Sequence, residues 1–181
     1  MEELIVKEED LDLEEEKRPL FKKILITIMA VIIIFLMLSF TFAGYPIGGI
    51  IQGWFESNPV EDNQINLENF SIIFTEQTHQ QLQYIYFSTQ KTEFSVCLSG
   101  EKINENYYIS SLYQPEMFEQ TFNHVTFKPC SKETLIILHS HPYKSCLASD
   151  TDINTLQKNK EVNKDVLMVI MCEPDRFSVY D

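Results

Sequence analysis

The sequence predicts a mixed α/β (α+β) domain, a mixed β-sheet flanked by helices, carried behind one transmembrane helix. Three observations predict it. A long charge-free apolar run lies near the N-terminus, strand-like and helix-like segments interleave downstream, and 181 residues suffice for one domain with appendages.

Residues 1–23 form an acidic tail with too little apolar content for a core, and are expected to be disordered. Residues 24–42 contain no charge and no proline. At ~1.5 Å per residue a helix of that length nearly crosses a ~30 Å hydrocarbon layer, which sets the transmembrane helix at 24–43. A cleaved secretory signal is the competing reading, because Thr41 and Ala43 are small residues at a suitable spacing. The run nevertheless exceeds the usual ~7–15 apolar residues of a signal and follows a long charged tail. Lys17, Arg18, Lys22 and Lys23 crowd its N-terminal flank, and no Lys or Arg recurs until Lys91. That asymmetry predicts a single-pass protein with its N-terminus in the cytoplasm and the following domain extracytoplasmic.

The net charge of −13 is shared: residues 1–43 carry five basic and nine acidic groups, residues 44–181 nine and eighteen. An acidic chain lacks the basic footprint that phosphates require, which excludes nucleic acid as a partner and favours a neutral or positively charged one.

Residues 44–69 read as a linker, with a glycine-rich exit over 44–49 and a polar, turn-forming stretch over 57–61. The folded domain is expected over 70–181. Leu82, Ile85 and Tyr86 recur at helical spacing, so a helix begins near Thr75 and runs to Ser88. Residues 94–99 alternate as a half-buried strand does, and Gly100 is expected to end it. A second strand covers 106–113 and stops before Pro115. Residues 134–138 form a short apolar run typical of a buried strand. A helix over 149–159 presents Ile153 and Leu156 on one face. Residues 166–171 are another buried strand, and 177–180 a last short one.

All four cysteines lie in the C-terminal part, an even set compatible with two disulfides outside the cytoplasm. Cys130 and Cys146 fall in loop-like segments and are the preferred pair, while Cys97 and Cys172 read as buried thiols inside strands. Asn69-Phe70-Ser71 is a glycosylation sequon.

The stretch that carries chemistry runs from His139-Ser140-His141-Pro142 to Ser149-Asp150-Thr151-Asp152. Residues two apart on a strand share a face, so His139 and His141 can offer both imidazoles to one ion, and Pro142 ends the strand there. Ser149 has the form of a helix cap with Asp152 in the first turn, which lets Asp152 complete a His₂Asp set and leaves a fourth position to water. A zinc ion so held lowers the pKa of its water to about 7.

These residues at this spacing resemble the JAMM (MPN+, JAB) metalloprotease family, whose signature is a distant Glu followed by His-x-His-Pro-x6-Ser-x2-Asp. His139, His141, Pro142, Ser149 and Asp152 fill every specified position, and Glu93, between the expected helix and strand, fits the frame of the Glu. The resemblance covers about residues 70–181 and implies a JAMM-like domain. It implies Zn²⁺ on His139, His141 and Asp152, Glu93 as general base and then acid, and Ser149 donating to the developing oxyanion. It also implies a membrane-anchored metallopeptidase or isopeptidase acting on a protein or peptide substrate, ubiquitin-like conjugates included. Val96 stands where many members carry glycine. Glu101 is a rival base, but at the far end of its strand. His79 and His124 are assigned surface or structural roles. The alternative function is a non-catalytic interaction module on a membrane anchor with structural zinc, for which Cys146 would be a fourth ligand.

Overall fold

A computed structural model describes residues 20–44, 47–122, 124–141 and 145–181. Most of the acidic tail, with Lys17 and Arg18, and Pro142 lie outside the described residues. The chain divides into two compact units, residues 1–45 and 46–181.

The first unit contributes α1 (Leu20–Gly44), every apolar side chain of which is exposed. It is long and apolar enough to cross a membrane, and its position near the N-terminus suits either a span or a signal sequence.

The second unit opens with α2 (Ile47–Glu56) and then β1 (Asn58–Pro59), β2 (Gln64–Asn66) and β3 (Ser71–Phe74). The helix α3 (Glu76–Ser88) follows, capped by the Thr75 hydroxyl, which accepts from the Thr78 N–H. Next come β4 (Ser95–Ile103), β5 (Asn106–Tyr113), and a separate hairpin of β6 (Met117–Gln120) and β7 (Val125–Phe127). The chain closes with β8 (Ile136–Ser140), α4 (Asp150–Lys160), β9 (Leu167–Glu173) and β10 (Arg176–Tyr180).

Eight strands form one mixed sheet in the order β1-β10-β9-β8-β4-β5-β3-β2. β8 is central, parallel to β9 and antiparallel to β4. All five of its residues are buried, as expected of a strand covered on both faces. Ile136 and Leu138 join Leu82 of α3 in one core cluster, and Ile137 joins Leu156 of α4 in the other. Strand alternation thus sorts β8 between the two helix layers, with His139 on the α4 side.

The 44–69 segment is not a mere linker. β1 pairs with β10 and β2 with β3, so both sheet edges are built from it. Within α2, a Cβ on Gly53 would sit 3.0 Å from Cys146 Cβ, so the helix backbone packs against that cysteine. Arg176 fastens the end of the helix through its guanidinium, which donates to the Ser57 carbonyl at 3.2 Å and lies 5.3 Å from the Trp54 ring. Nor does Gly100 end its strand: β4 continues to Ile103 through a bulge between Ser99 and Gly100. A Cβ at Gly100 would lie 1.9 Å from the Tyr108 carbonyl oxygen, so glycine permits the close strand approach.

The disulfides also differ from the expected Cys130–Cys146 pair. Cys97 bonds Cys130, and Cys146 bonds Cys172. Cys97 stands opposite Ile137, and Cys172 follows Ile170 by two residues, so both strand cysteines share the α4 side. Each takes a partner from a loop that covers that face.

Candidate metal centre

Three groups converge at the end of β8. His139 Nε2 lies 3.1 Å from His141 Nε2 and 3.1 Å from Asp152 Oδ1, and His141 Nε2 lies 3.4 Å from Asp152 Oδ2. Ligand bonds of about 2.0–2.1 Å at tetrahedral angles give edges of about 3.3 Å between donor atoms, so the spacing suits one ion. His139, His141 and Asp152 could therefore hold a metal.

The protonation states of His139 and Asp152 suit a metal. Burial lowers the pKa of His139 and so favours neutral imidazole. Burial works to raise the Asp152 carboxyl, but hydrogen bonds to His139 and His141 outweigh it and hold the group well below the usual carboxylate range. Neutral imidazole and ionised carboxylate are the forms that bind metal.

Local structure fixes each group. The parallel pairing of β8 and β9 runs past Ser140, where the His141 N–H donates to the Met171 carbonyl at 3.2 Å. Asp152 is held by a capping box: its Oδ2 accepts from both the N–H and the hydroxyl of Ser149 at 2.7 Å, and the Ser149 hydroxyl accepts from the Asp152 N–H at 3.3 Å. The loop leading to Ser149 is tied down twice. Cys146 is bonded to Cys172, and the Tyr180 hydroxyl accepts from the Ala148 N–H at 2.9 Å. Cys146 is thereby removed as a metal ligand.

Glu93 precedes Ser95 by two residues, and Ser95 stands opposite His139. The alternation that aligned the histidines therefore turns Glu93 to the same face. Its backbone is clamped by the β6–β7 hairpin: the N–H donates to the Thr121 carbonyl at 2.9 Å, and the carbonyl accepts from Gln120 Nε2 at 3.0 Å. The next residue is fixed to β8, with the Phe94 N–H donating to Ser140 Oγ at 3.0 Å. Glu93 is 7 % exposed, and this burial pushes its carboxyl up to about 7, partly opposed by His141.

One cavity of about 280 Å³ is lined by Glu93, His139, His141, Ser149 and Asp152, so all five residues expected from the sequence meet in it. His124, assigned a surface or structural role from the sequence, lines it too. A lone histidine in a loop carries no signal of its own. Val125 and Phe127 of the hairpin form further wall. Glu101 is exposed on the outer half of β4, away from this cavity, and His79 is buried with its Nδ1 2.7 Å from Asn63 Oδ1, a structural role. Val96 is fully buried opposite Leu138 and fills core. A second cavity of about 460 Å³ adjoins at His141, with Tyr86, Phe87, Phe94 and Glu173 in its walls.

No family model matches the chain, and no curated protein matches it. The centre rests on its own geometry: two histidines and an aspartate at ligand spacing, with a buried glutamate of raised pKa beside them.

Proposed function

We propose that this chain is a membrane-anchored, zinc-dependent peptidase or isopeptidase of the JAMM type that hydrolyses an amide bond. The observation that carries the reading is the meeting of three metal ligands, a proton-handling carboxyl and a hydroxyl donor in one cavity.

His139, His141 and Asp152 would hold the zinc, and with three protein ligands one position is left open. Zinc supplies Lewis acidity toward a carbonyl and acidifies water. Glu93 is the proton carrier of the reaction. Burial pushes this carboxyl up from the usual carboxylate range, which favours its taking a proton from a nucleophilic water and returning it to a leaving amine. Ser149 Oγ, which donates to Asp152 Oδ2, would turn to donate to the oxygen that gains charge in the transition state. The two cavities that share His141 give room for substrate chain on both sides of the scissile bond.

The anchor is α1, read as a membrane span. Two disulfides support a domain facing an oxidising compartment, in line with the Lys and Arg asymmetry around α1. The substrate would accordingly be an extracytoplasmic protein or peptide.

The test is the fragment 46–181, which retains α2 and β1. It should bind about one zinc per chain and cleave members of a peptide and isopeptide library. Glu93→Gln should retain the zinc and lose the cleavage. A Glu93→Gln fragment that binds zinc and cleaves as well as the parent would remove the assigned role, and failure of the parent to bind zinc would remove the reading.

A further inference from the structure

One stripe of α2 is apolar and more than half exposed. Ile51 is 54 % exposed, Trp54 56 % and Phe55 76 %, at the i, i+3, i+4 spacing of one helical stripe. The opposite side is engaged, with the Gly53 backbone against Cys146, and Arg176 touches one edge of the stripe at Trp54, near the C-terminal end. The occupant of the free stripe follows from the chain itself. Only Tyr45 and Pro46 separate α2 from the apolar helix α1, and residues 24–55 contain no charged residue. If α1 spans a bilayer, α2 begins at its surface. Charge returns only with Glu56, at the last position of α2.

We propose that α2 is an interfacial helix, lying in the headgroup layer with Ile51, Trp54 and Phe55 immersed among the upper acyl segments. The proposal rests on α1 being a membrane span and goes beyond the catalytic reading. Indole and phenyl rings favour the layer where one edge is wet and the other apolar. At ten residues α2 is too short to cross a ~30 Å hydrocarbon layer, so its apolar stripe can be buried only along the surface. Arg176 fits the same position, since its guanidinium donates to the Trp54 carbonyl at 3.4 Å while lying over the indole ring. The active-site unit would then be fastened to the lipid surface by two adjoining elements, not suspended on a flexible stalk.

Trp54 is the single tryptophan of the chain, so its fluorescence reports on α2 alone. The full chain is reconstituted in phosphatidylcholine nanodiscs, with and without bromine on the upper acyl carbons, and titrated with aqueous iodide. The expected result is indole emission roughly halved by the brominated lipid, with iodide quenching several-fold weaker than for free tryptophan. The double variant I51K/F55K should lose bromine quenching while binding as much zinc as the parent. Chain that enters the discs but shows an iodide-accessible, bromine-insensitive Trp54 overturns the interfacial helix and leaves the anchor standing. Chain that does not enter the discs overturns both.

Discussion

Replacing Glu93 by Gln should stabilise the metal-free protein at alkaline pH and leave it unchanged in acid. The glutamate carboxyl ordinarily titrates at 4.5, and burial in the folded site raises it to about 7. Below the lower value both folded and unfolded chains carry the proton, so the group contributes nothing to a pH dependence. Between the two values the unfolded chain ionises while the folded chain keeps its proton, and stability falls as pH rises. Above about 7 the folded site must hold a desolvated carboxylate at a constant cost. At 1.36 kcal/mol per pKa unit that cost is about 3 kcal/mol, worth roughly 10 °C in Tm for a unit of this size. Glutamine has the same shape and never ionises, so the variant escapes it. The assay is urea or thermal unfolding of the fragment 46–181, disulfides intact and chelator present, for parent and Glu93→Gln at pH 4 and pH 8. The difference should be near zero at pH 4 and about 3 kcal/mol in favour of the variant at pH 8. A difference of equal size at both pH values would trace to shape and not ionisation, and equal stability at pH 8 would refute the desolvated carboxyl.

Other perturbations separate the supports of the site. Ser149→Ala removes the hydroxyl that caps the helix and donates to Asp152 Oδ2, leaving only the backbone N–H of the clamp on that carboxylate, so isothermal titration should show zinc affinity lowered about 10-fold or more, with about 1 kcal/mol lost in unfolding. Replacing Cys146 and Cys172 together by alanine opens a loop of 26 residues and should cost about 3.5 kcal/mol in denaturant unfolding. The same change should weaken zinc binding, because the loop carrying Ser149 loses its tie; unaltered affinity would show that Tyr180 suffices. Gly100→Ala drives a methyl group onto the Tyr108 carbonyl and should destabilise the fold by about 3 kcal/mol or more, measured by the same unfolding assay.

The donor residues were legible because their spacing is local geometry. His139 and His141 share a face by strand period, Ser149 and Asp152 meet through a helix cap, and the apolar runs of β8 and β9 announce a buried sheet centre. What escaped was set by contacts distant in sequence. β1 is two residues long and includes Pro59, so neither periodicity nor propensity marks it, and only its pairing with β10 makes it a strand. The β6–β7 hairpin is short and exposed or half-exposed with no clean alternation, and its importance to Glu93 lies in two hydrogen bonds with the backbone of that residue, one from the Gln120 side chain and one to the Thr121 carbonyl. Cysteine pairing failed for a related reason. Loop-like surroundings describe mobility along the chain, whereas the bonds depend on which sheet face each strand cysteine meets, and Cys97 and Cys172 both meet loops crossing the α4 side.

The disulfide pattern also divides the site between two successive loops of the chain. Each cysteine is joined to its neighbour along the chain, Cys97 to Cys130 and then Cys146 to Cys172. If the domain folds in an oxidising compartment, the first loop could close before Cys146 is made, so this connectivity could form without reshuffling. His139 and His141 fall in the interval between the two loops, whereas Asp152 lies inside the second. A metal held by His139, His141 and Asp152 would thus draw its third donor from inside the loop that the Cys146–Cys172 bond closes.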